Sequence, residues 1–310
     1  MQHFEVNFKY VISAKSNIRL LCYKVFALHP ESKYQGLILQ FYQNEWDGEL
    51  RCMLERIYLQ MSESQTPAKA LEIFAQDKYE RVRLITYEYH EKQEGVWSGF
   101  EKLLLSLARR IRIFAKNQLQ KTGFDYVQYC RGHLPESLCA LGDFGTPDDI
   151  PRIRLYMDTH PIETMYALVK LGAEDSKILL LSNMQSSDTG MSKAAYRLAR
   201  VQKCLDAADL MPVIRNTTDR RLQYRLSMLL TKDGIWPALP YLLRFLRDYP
   251  QLRNDLYYLI WKRTRDKAYV SEELAREISS ALTYARETNA IPVRLNNQIC
   301  FQHRITHNQH

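Results

Sequence analysis

Arginine and aromatic side chains gather in one stretch of this chain, where together they could bind an anionic partner. The candidate contact residues are Arg215, Arg220, Arg221, Tyr224, Arg225, Trp261, Lys262, Arg263 and Arg265. Arginine and aromatic residues dominate the energetic centres of protein interfaces, and the same types line grooves that hold single-stranded nucleic acids. The chemistry expected of this set is binding of carboxylates or phosphates.

The positive charge of the chain is concentrated around these residues. Residues 191–265 contain 15 lysines and arginines, six aspartates and no glutamate, a net charge of +9, whereas the whole chain carries +8. A local positive field favours an acidic protein, a nucleic acid or another anionic surface as partner. A solvated helix face is the alternative interpretation, because exposed helix faces are commonly rich in lysine and arginine.

The end of the sequence has the residue types of a zinc site. Cys300, His303, His307 and His310 fall within eleven residues, and thiolate and imidazole are ligands that Zn²⁺ prefers. No second ligand cluster lies close in sequence, and terminal segments of this kind are more often mobile. We therefore predict no metal site and no cofactor.

Residues suited to acid–base or nucleophilic catalysis form no recognisable constellation. The sequence has no GxSxG, P-loop or GxGxxG motif. Of its carboxylate pairs, Asp148–Asp149 fits a helix start, where the dipole favours negative charge, and Asp206/Asp209 fits an exposed helix face. Four histidines are scattered near predicted helix ends: His29, His90, His133 and His160. The sequence predicts a protein that is not an enzyme.

The elements that must position these residues are indicated by an arginine that recurs after an apolar residue. The positions are Arg19, Arg51, Arg83, Arg112 and Arg253, separated by 32, 32, 29 and 141 residues. A step near thirty is typical of stacked helical pairs. We expect these arginines to form a structural ladder that holds the spacing between units rather than a ligand-binding ladder.

Apolar residues at helical spacing start from the apolar residue that precedes each of these arginines, in the second helix of each predicted pair. Leu50, Leu54 and Ile57 lie on one predicted helix face, as do Leu252, Leu256 and Ile260. Acidic residues precede four of the predicted second helices and suit their first turns: Asp47, Glu80, Asp219 and Asp248. Because glycine and proline number only 11 each, turns are few, and we predict an all-α chain.

Two stretches carry a resemblance to a known family. The sequences ALGDFGTPDDIPRIRLYMDTHPIETMYALVKLG (140–172) and KDGIWPALPYLLRFLRDYPQLRNDLYYLIWK (232–262) resemble bacterial HEAT repeats of the kind related to phycobilisome lyases, and weaker units extend the likeness from about residue 15 to about residue 285. In HEAT-like units the recurring arginine usually bonds an acidic residue of an adjoining repeat, so the resemblance implies the same for the structural ladder. Glu163 and Gln223 depart from the arginine pattern. The resemblance implies an α-solenoid of about eight antiparallel helix pairs in a right-handed superhelix.

The expected organisation is a single HEAT-like array over residues 1–286, followed by a tail or cap at 287–310. The interval near 121–142 is too short for a full unit and is expected to be irregular. Small bacterial HEAT proteins often act as adaptors, or as immunity proteins that mask a toxin. The resemblance therefore implies a non-catalytic scaffold that docks an acidic protein on its concave or basic face.

Two alternatives remain open. A HEAT-like solenoid with a basic concave face could bind nucleic acid, in the manner of DNA glycosylases of this architecture, although no carboxylate–aromatic site can be assigned. A lyase or chaperone for a bound chromophore is the second alternative, and only the repeat supports it.

Composition points to the cytoplasm. No apolar run reaches the roughly 18 residues of a membrane helix, and the first residues, MQHFEVNFKY, do not have the pattern of a secretory signal. The six cysteines contain no CxxC pair. Cys22, Cys52 and Cys204 lie among apolar residues within helical patterns and are expected to be small buried thiols in a reducing compartment.

Overall fold

The computed structural model of the chain describes residues 13, 15–62, 67–94, 99–232, 234–263, 271–297 and 299. Over these residues the regular structure is helical and no strand occurs, which confirms the all-α prediction. None of the helices in these ranges has the length and apolarity needed to span a bilayer. Backbone contacts divide the chain into two compact units, residues 1–145 and 146–310. Whether the repeats form one continuous array over 1–286 stays a prediction.

The helices of the first unit alternate with short turns. They are α1 (Ser16–Leu28), α2 (Gln35–Asn44), α3 (Gly48–Met61), α4 (Ala68–Ala75), α5 (Glu80–Glu94), α6 (Phe100–Leu103), α7 (Arg109–Gln120), α8 (Tyr126–Gly132) and α9 (Leu138–Phe144), with a 3₁₀ turn at Ser32–Tyr34. Within this unit α2 packs on α3, α4 on α5 and α6 on α7. The second helices of the pairs also pack in succession, α1 on α3, α3 on α5 and α5 on α7.

The second unit repeats this arrangement of pairs. Its helices are α10 (Ile150–Arg154), α11 (Pro161–Leu171), α12 (Ser176–Met184), α13 (Thr189–Gln202), α14 (Ala207–Asn216), α15 (Arg220–Leu230), α16 (Ile235–Phe245), α17 (Leu252–Arg263) and α18 (Glu272–Glu287), with a 3₁₀ turn at Pro147–Asp149. The pairs are α10 with α11, α12 with α13 and α14 with α15, and α16 packs against α15, α17 and α18.

Helix starts follow the predicted capping in part. The Asp47 carboxylate accepts hydrogen bonds from the Glu49 and Leu50 amides at the start of α3, and Asp219 does the same at the start of α15. Each satisfies two of the amides that a helix end leaves without partners. Glu80 is the first residue of α5. Asp248 instead forms an ion pair with Arg220.

The apolar stripes face the cores, as their spacing predicts. Leu54 and Ile57 of α3 are 0% and 1% exposed, and Leu226, Leu256 and Ile260 of the second unit are 0%, 0% and 1% exposed. Each unit has its own cluster of buried side chains, so burial of these stripes holds the helix pairs together within each unit.

The irregular stretch near 121–142 contains two helices of seven residues, α8 and α9. The first helices of two pairs are short. α6 has four residues, and residues 147–154 are divided between a 3₁₀ turn and the five residues of α10.

Candidate functional site

Three arginines of the predicted ladder bond acidic residues of the next helix pair or helix. The Arg19 guanidinium donates to both carboxylate oxygens of Glu45 at 2.8 and 2.9 Å. Arg51 donates to both oxygens of Asp77 at 2.7 and 2.9 Å. Arg112 reaches a single oxygen of Asp143 through Nε and Nη2, at 3.1 and 2.6 Å. These arginines are 4%, 6% and 1% exposed, so they are not free to meet a ligand.

A second bond of each arginine is local. Nη1 donates to the carbonyl oxygen six residues earlier, in the turn before the helix. For Arg19, Arg51, Arg83 and Arg112 the acceptors are Ser13, Glu45, Asp77 and Ser106, at 2.7, 3.1, 2.7 and 2.6 Å. The side chains of the same turn residues also accept a hydrogen bond from the backbone amide two residues later. The turn before the helix is therefore closed by two hydrogen bonds, which explains why the arginine recurs at one position of the repeat.

The later repeats depart from this arrangement. Gln223 stands where the arginine would be, and its Nε2 still donates to the carbonyl six residues earlier, that of Thr217, at 2.9 Å. Arg253 has a buried Nε without a hydrogen-bond partner among the described residues. The sequence identified Gln223 as a departure, and the structure shows that the amide keeps the local bond.

The basic residues of α14 and α15 do not share one surface. Arg215 and Arg220 line a groove in the second unit. Arg225, on the same helix as Arg220, turns away and donates from Nη1 to the Ser192 hydroxyl at 2.9 Å, with its guanidinium 6.0 Å from the Tyr196 ring centre. Arg225 is therefore a contact between neighbouring second helices.

The groove has a volume of about 700 Å³ and collects side chains from four helices. Arg215 of α14, Arg220 of α15 and Arg244 of α16 supply three guanidiniums. Aromatic and polar residues line it as well: Tyr241, Phe245, Tyr284, Gln223, Glu277 and Ser280. Ile214 and Pro240 complete the lining. We call this site the arginine groove. Its volume lies in the range of ligand-binding clefts, about 300–1,000 Å³.

Two of its three guanidiniums have acidic neighbours. Arg215 Nε lies 3.4 Å from the Tyr241 hydroxyl, and its Nη2 lies 3.3 Å from a Glu277 oxygen. The hydrogen bond to Tyr241, followed by the charge of Glu277, raises the pKa of Arg215 above its usual value. Arg220 pairs with Asp248 and lies over the Phe245 ring. Arg244 is exposed and forms no ion pair within the ranges that the structure covers.

The other predicted contact residues lie elsewhere or outside the described side chains. Arg221 is exposed in the first turn of α15. Tyr224 is half-buried and stacks on Tyr249 with ring centres 4.6 Å apart, so it serves in packing. The backbone of Trp261, Lys262 and Arg263 belongs to α17, but their side chains lie outside the described part, as does Arg265 entirely.

Sequence reasoning did not find Arg244, Tyr241 or Glu277. Tyr241 and Arg244 are three residues apart on α16, a spacing that puts both on one helix face. That spacing is a signal in the sequence from which both could have been predicted. Glu277 lies 62 residues after its partner Arg215. Nothing local in the sequence connects the two.

One buried carboxyl is strongly perturbed. Glu55 of α3 is 0% exposed, and its Oε1 accepts a 2.6 Å hydrogen bond from the Thr86 hydroxyl of α5, while Oε2 has no partner among the described atoms. Burial raises the pKa of Glu55 to about 8; Thr86 and Arg56 oppose this shift, and the charges of Asp77 and Glu88 add to it. Because Glu55 is fully buried and does not line the arginine groove, a substrate could not reach it.

No group of three or more histidine, cysteine, aspartate or glutamate side chains with metal-binding geometry occurs within the described ranges. Cys300, His303, His307 and His310, the candidate zinc ligands of the sequence, lie outside those ranges.

Comparison of the chain with protein-family models, with curated proteins and with solved structures finds no match.

Proposed function

We propose that this chain is a non-catalytic scaffold that docks an acidic segment of a partner protein in the arginine groove. The observation that carries the proposal is the convergence of Arg215, Arg220 and Arg244 from three successive helices onto one concavity. Guanidinium groups bind carboxylates through paired, charge-assisted hydrogen bonds. The Tyr241 and Tyr284 rings also line the groove, and Tyr284 is 39% exposed, so they add the apolar contact area typical of binding hot spots.

The acidic partners of two groove arginines support a carboxylate as ligand. Glu277 bonds Arg215, and Asp248 bonds Arg220. The side chains of both arginines are more than half exposed, at 52% and 59%, and exposed ion pairs of this kind contribute only about 0–1 kcal/mol. Carboxylates of a partner can therefore replace them at little expense, and Glu277 and Asp248 mark positions that such carboxylates would take.

We further propose that the helix pairs are HEAT-like and continue as a right-handed superhelix over residues 1–286. The stacking of second helices within each unit and the arginine–acid bonds between neighbouring pairs support this. Adaptors and immunity-type proteins that mask a toxin are the functional class that this architecture and the basic groove fit best. Stacked repeats of this type present extended binding surfaces.

The test uses fluorescence anisotropy of a short labelled peptide in which Asp and Glu alternate with Leu and Phe. The full chain should bind it, and Arg244→Glu should weaken binding about tenfold or more, chiefly through slower association and with a marked salt dependence. Arg197→Glu is the matched control, because Arg197 is an exposed arginine of the same unit outside the groove. This variant should bind as the wild type does.

A labelled DNA duplex is the competing probe. Binding of duplex with a steep salt dependence, lost in Arg244→Glu, together with indifference to the acidic peptide, would replace the adaptor function by nucleic-acid binding. If Arg244→Glu binds both probes as the wild type does, the arginine groove is a solvated surface and the proposal fails.

A further inference from the structure

A second groove lies in the first unit and differs in character from the arginine groove. It has a volume of about 750 Å³ and runs across the second helices α1, α3 and α5 to Arg110 at the start of α7. Leu20, Met53, Leu84 and Ile85 give it an apolar floor contributed by three successive helices. Because the floor is apolar over three helices, shape and apolar contact would dominate binding here.

Charged residues border this floor, and some of them already have partners. The Glu49 carboxylate accepts hydrogen bonds from the Tyr79 hydroxyl and from Arg81, the latter at 2.6 Å from Nη1 to Oε2. The carboxylate of Asp47 accepts the amides at the start of α3. Glu49 and Arg81 thus neutralise each other at the surface, and Asp47 caps α3.

Three charges on the border remain for a partner. The side chains of Arg56 and Arg110 are exposed and make no hydrogen bond or ion pair with any residue that the structure describes, and the same holds for the side chain of Glu88. A complementary ligand would therefore combine an apolar surface with two acidic groups and one basic group. That mixture fits neither a polyanion nor a purely apolar ligand.

One wall of the groove is fixed by close packing. Tyr79 lies directly against Gly48, where an added Cβ would come within 2.5 Å of the Tyr79 ring. Because residue 48 is glycine, the Tyr79 ring can lie against the start of α3, where its hydroxyl donates to Glu49, which in turn accepts from Arg81. A preformed wall reduces the ordering that binding would otherwise require.

We infer that this groove docks an amphipathic helix of a partner protein. The apolar stripe of that helix packs on Leu20, Met53 and Leu84, with acidic residues opposite Arg56 and Arg110 and a basic residue opposite Glu88. An apolar trough with charged borders is the form in which helical segments are recognised, through apolar anchors at i, i+3 or i+4, and i+7. This docking surface lies within the first unit and is independent of the arginine groove.

The test is a selection of displayed random helical peptides against the full chain. Enriched peptides should carry an apolar stripe at helical spacing flanked by acidic residues. Binding should weaken about tenfold or more in Met53→Lys and in Arg56→Glu, and Arg56→Glu should shift the selected flanking residues from acidic to basic. Leu21→Lys is the control, since Leu21 is 62% exposed on α1 and lies outside the groove.

Because Met53 is only half-buried and Arg56 is exposed, both variants should keep the wild-type helical content, which circular dichroism checks. Failure to enrich such peptides would overturn the inference, as would enriched peptides that bind Met53→Lys and Arg56→Glu as tightly as the wild type. Peptides whose binding is lost in Arg244→Glu instead would report the arginine groove. That result would support the proposed function of the arginine groove and overturn the inference that the second groove docks a helix.

Discussion

Replacing Glu55 by glutamine should make the protein less sensitive to alkaline pH. The ordinary pKa of 4.5 is raised to about 8 in the fold, so the folded state holds a proton that the unfolded chain releases. The contribution of Glu55 to stability is fully present below pH 4.5, falls as pH rises from there towards 8, and is constant above that. Glutamine has nearly the same shape and no charge, so it should remove this slope.

The magnitude follows from the size of the shift. Each pKa unit corresponds to about 1.4 kcal/mol, so the difference between 4.5 and about 8 sets a ceiling of about 5 kcal/mol. Water penetration and relaxation around an ionised buried group lower such penalties, and we expect about 2–4 kcal/mol. The groups that set the shift, besides burial, are Thr86, Asp77, Arg56 and Glu88.

Urea unfolding followed by circular dichroism at pH 5, 7 and 9 measures the effect, with the wild type and the variant compared at each pH. Glu55→Gln should be close to the wild type at pH 5 and more stable at pH 9. Glu72→Gln, which changes an exposed carboxylate of α4 in the same unit, is the control and should follow the wild type. A constant difference between Glu55→Gln and the wild type across this range would refute the reasoning, because it would show that Glu55 does not titrate there.

Three further predictions concern the packing of the helix pairs. Arg112→Leu should destabilise the protein by about 3–5 kcal/mol, since it leaves the buried Asp143 carboxylate without its main cation, and the double variant with Asp143→Leu should recover much of that loss in a double-mutant cycle. Gly48→Ala should lower the melting temperature because of the aromatic ring packed against it, whereas Gly36→Ala, with open space around its Cβ position in α2, should leave it unchanged or raise it. Leu226→Ala should reduce the free energy of unfolding by about 2–5 kcal/mol, since Leu226 is 0% exposed, and a change below about 1 kcal/mol would contradict this packing.

The repeat itself was predictable from sequence because its arginine makes two kinds of hydrogen bond at once. One is to the carbonyl six residues earlier, and the other is to an acidic residue of the next pair or helix. Both require an arginine at the start of a second helix, so Arg19, Arg51 and Arg112 recur at nearly fixed intervals. The side-chain directions within the basic segment were not predictable in this way. Arg220 and Arg225 are five residues apart on one helix, and only the packing of the neighbouring helices decides that one lines a groove and the other bonds Ser192.

Burial of Glu55 was equally invisible in the sequence. Four residues after the ladder arginine, the first repeat has Tyr23, whose hydroxyl donates to the ladder acid Glu45. In the next repeat the same position is Glu55, which faces Thr86 instead. From sequence, a glutamate within a helix is predicted to be exposed. Only the close packing of α3 on α5 removes Glu55 from water.

The arginine groove lies where the ladder is interrupted, and the two observations have one physical explanation. Gln223, which lines the groove, keeps the local bond to Thr217 but is too short and uncharged to bind an acid of the following pair. In the first unit such acids are buried beneath arginines, as Glu45 and Asp77 are. Around Gln223 the acidic and basic groups instead meet at the surface, where Arg220 and its partner Asp248 remain accessible to solvent.

A buried ion pair resists exchange because separating it leaves charges in a poorly solvating environment, whereas an exposed pair exchanges readily with an external carboxylate. With glutamine at the ladder position, the pair of Arg220 and Asp248 therefore stays at the surface instead of being buried between two helix pairs.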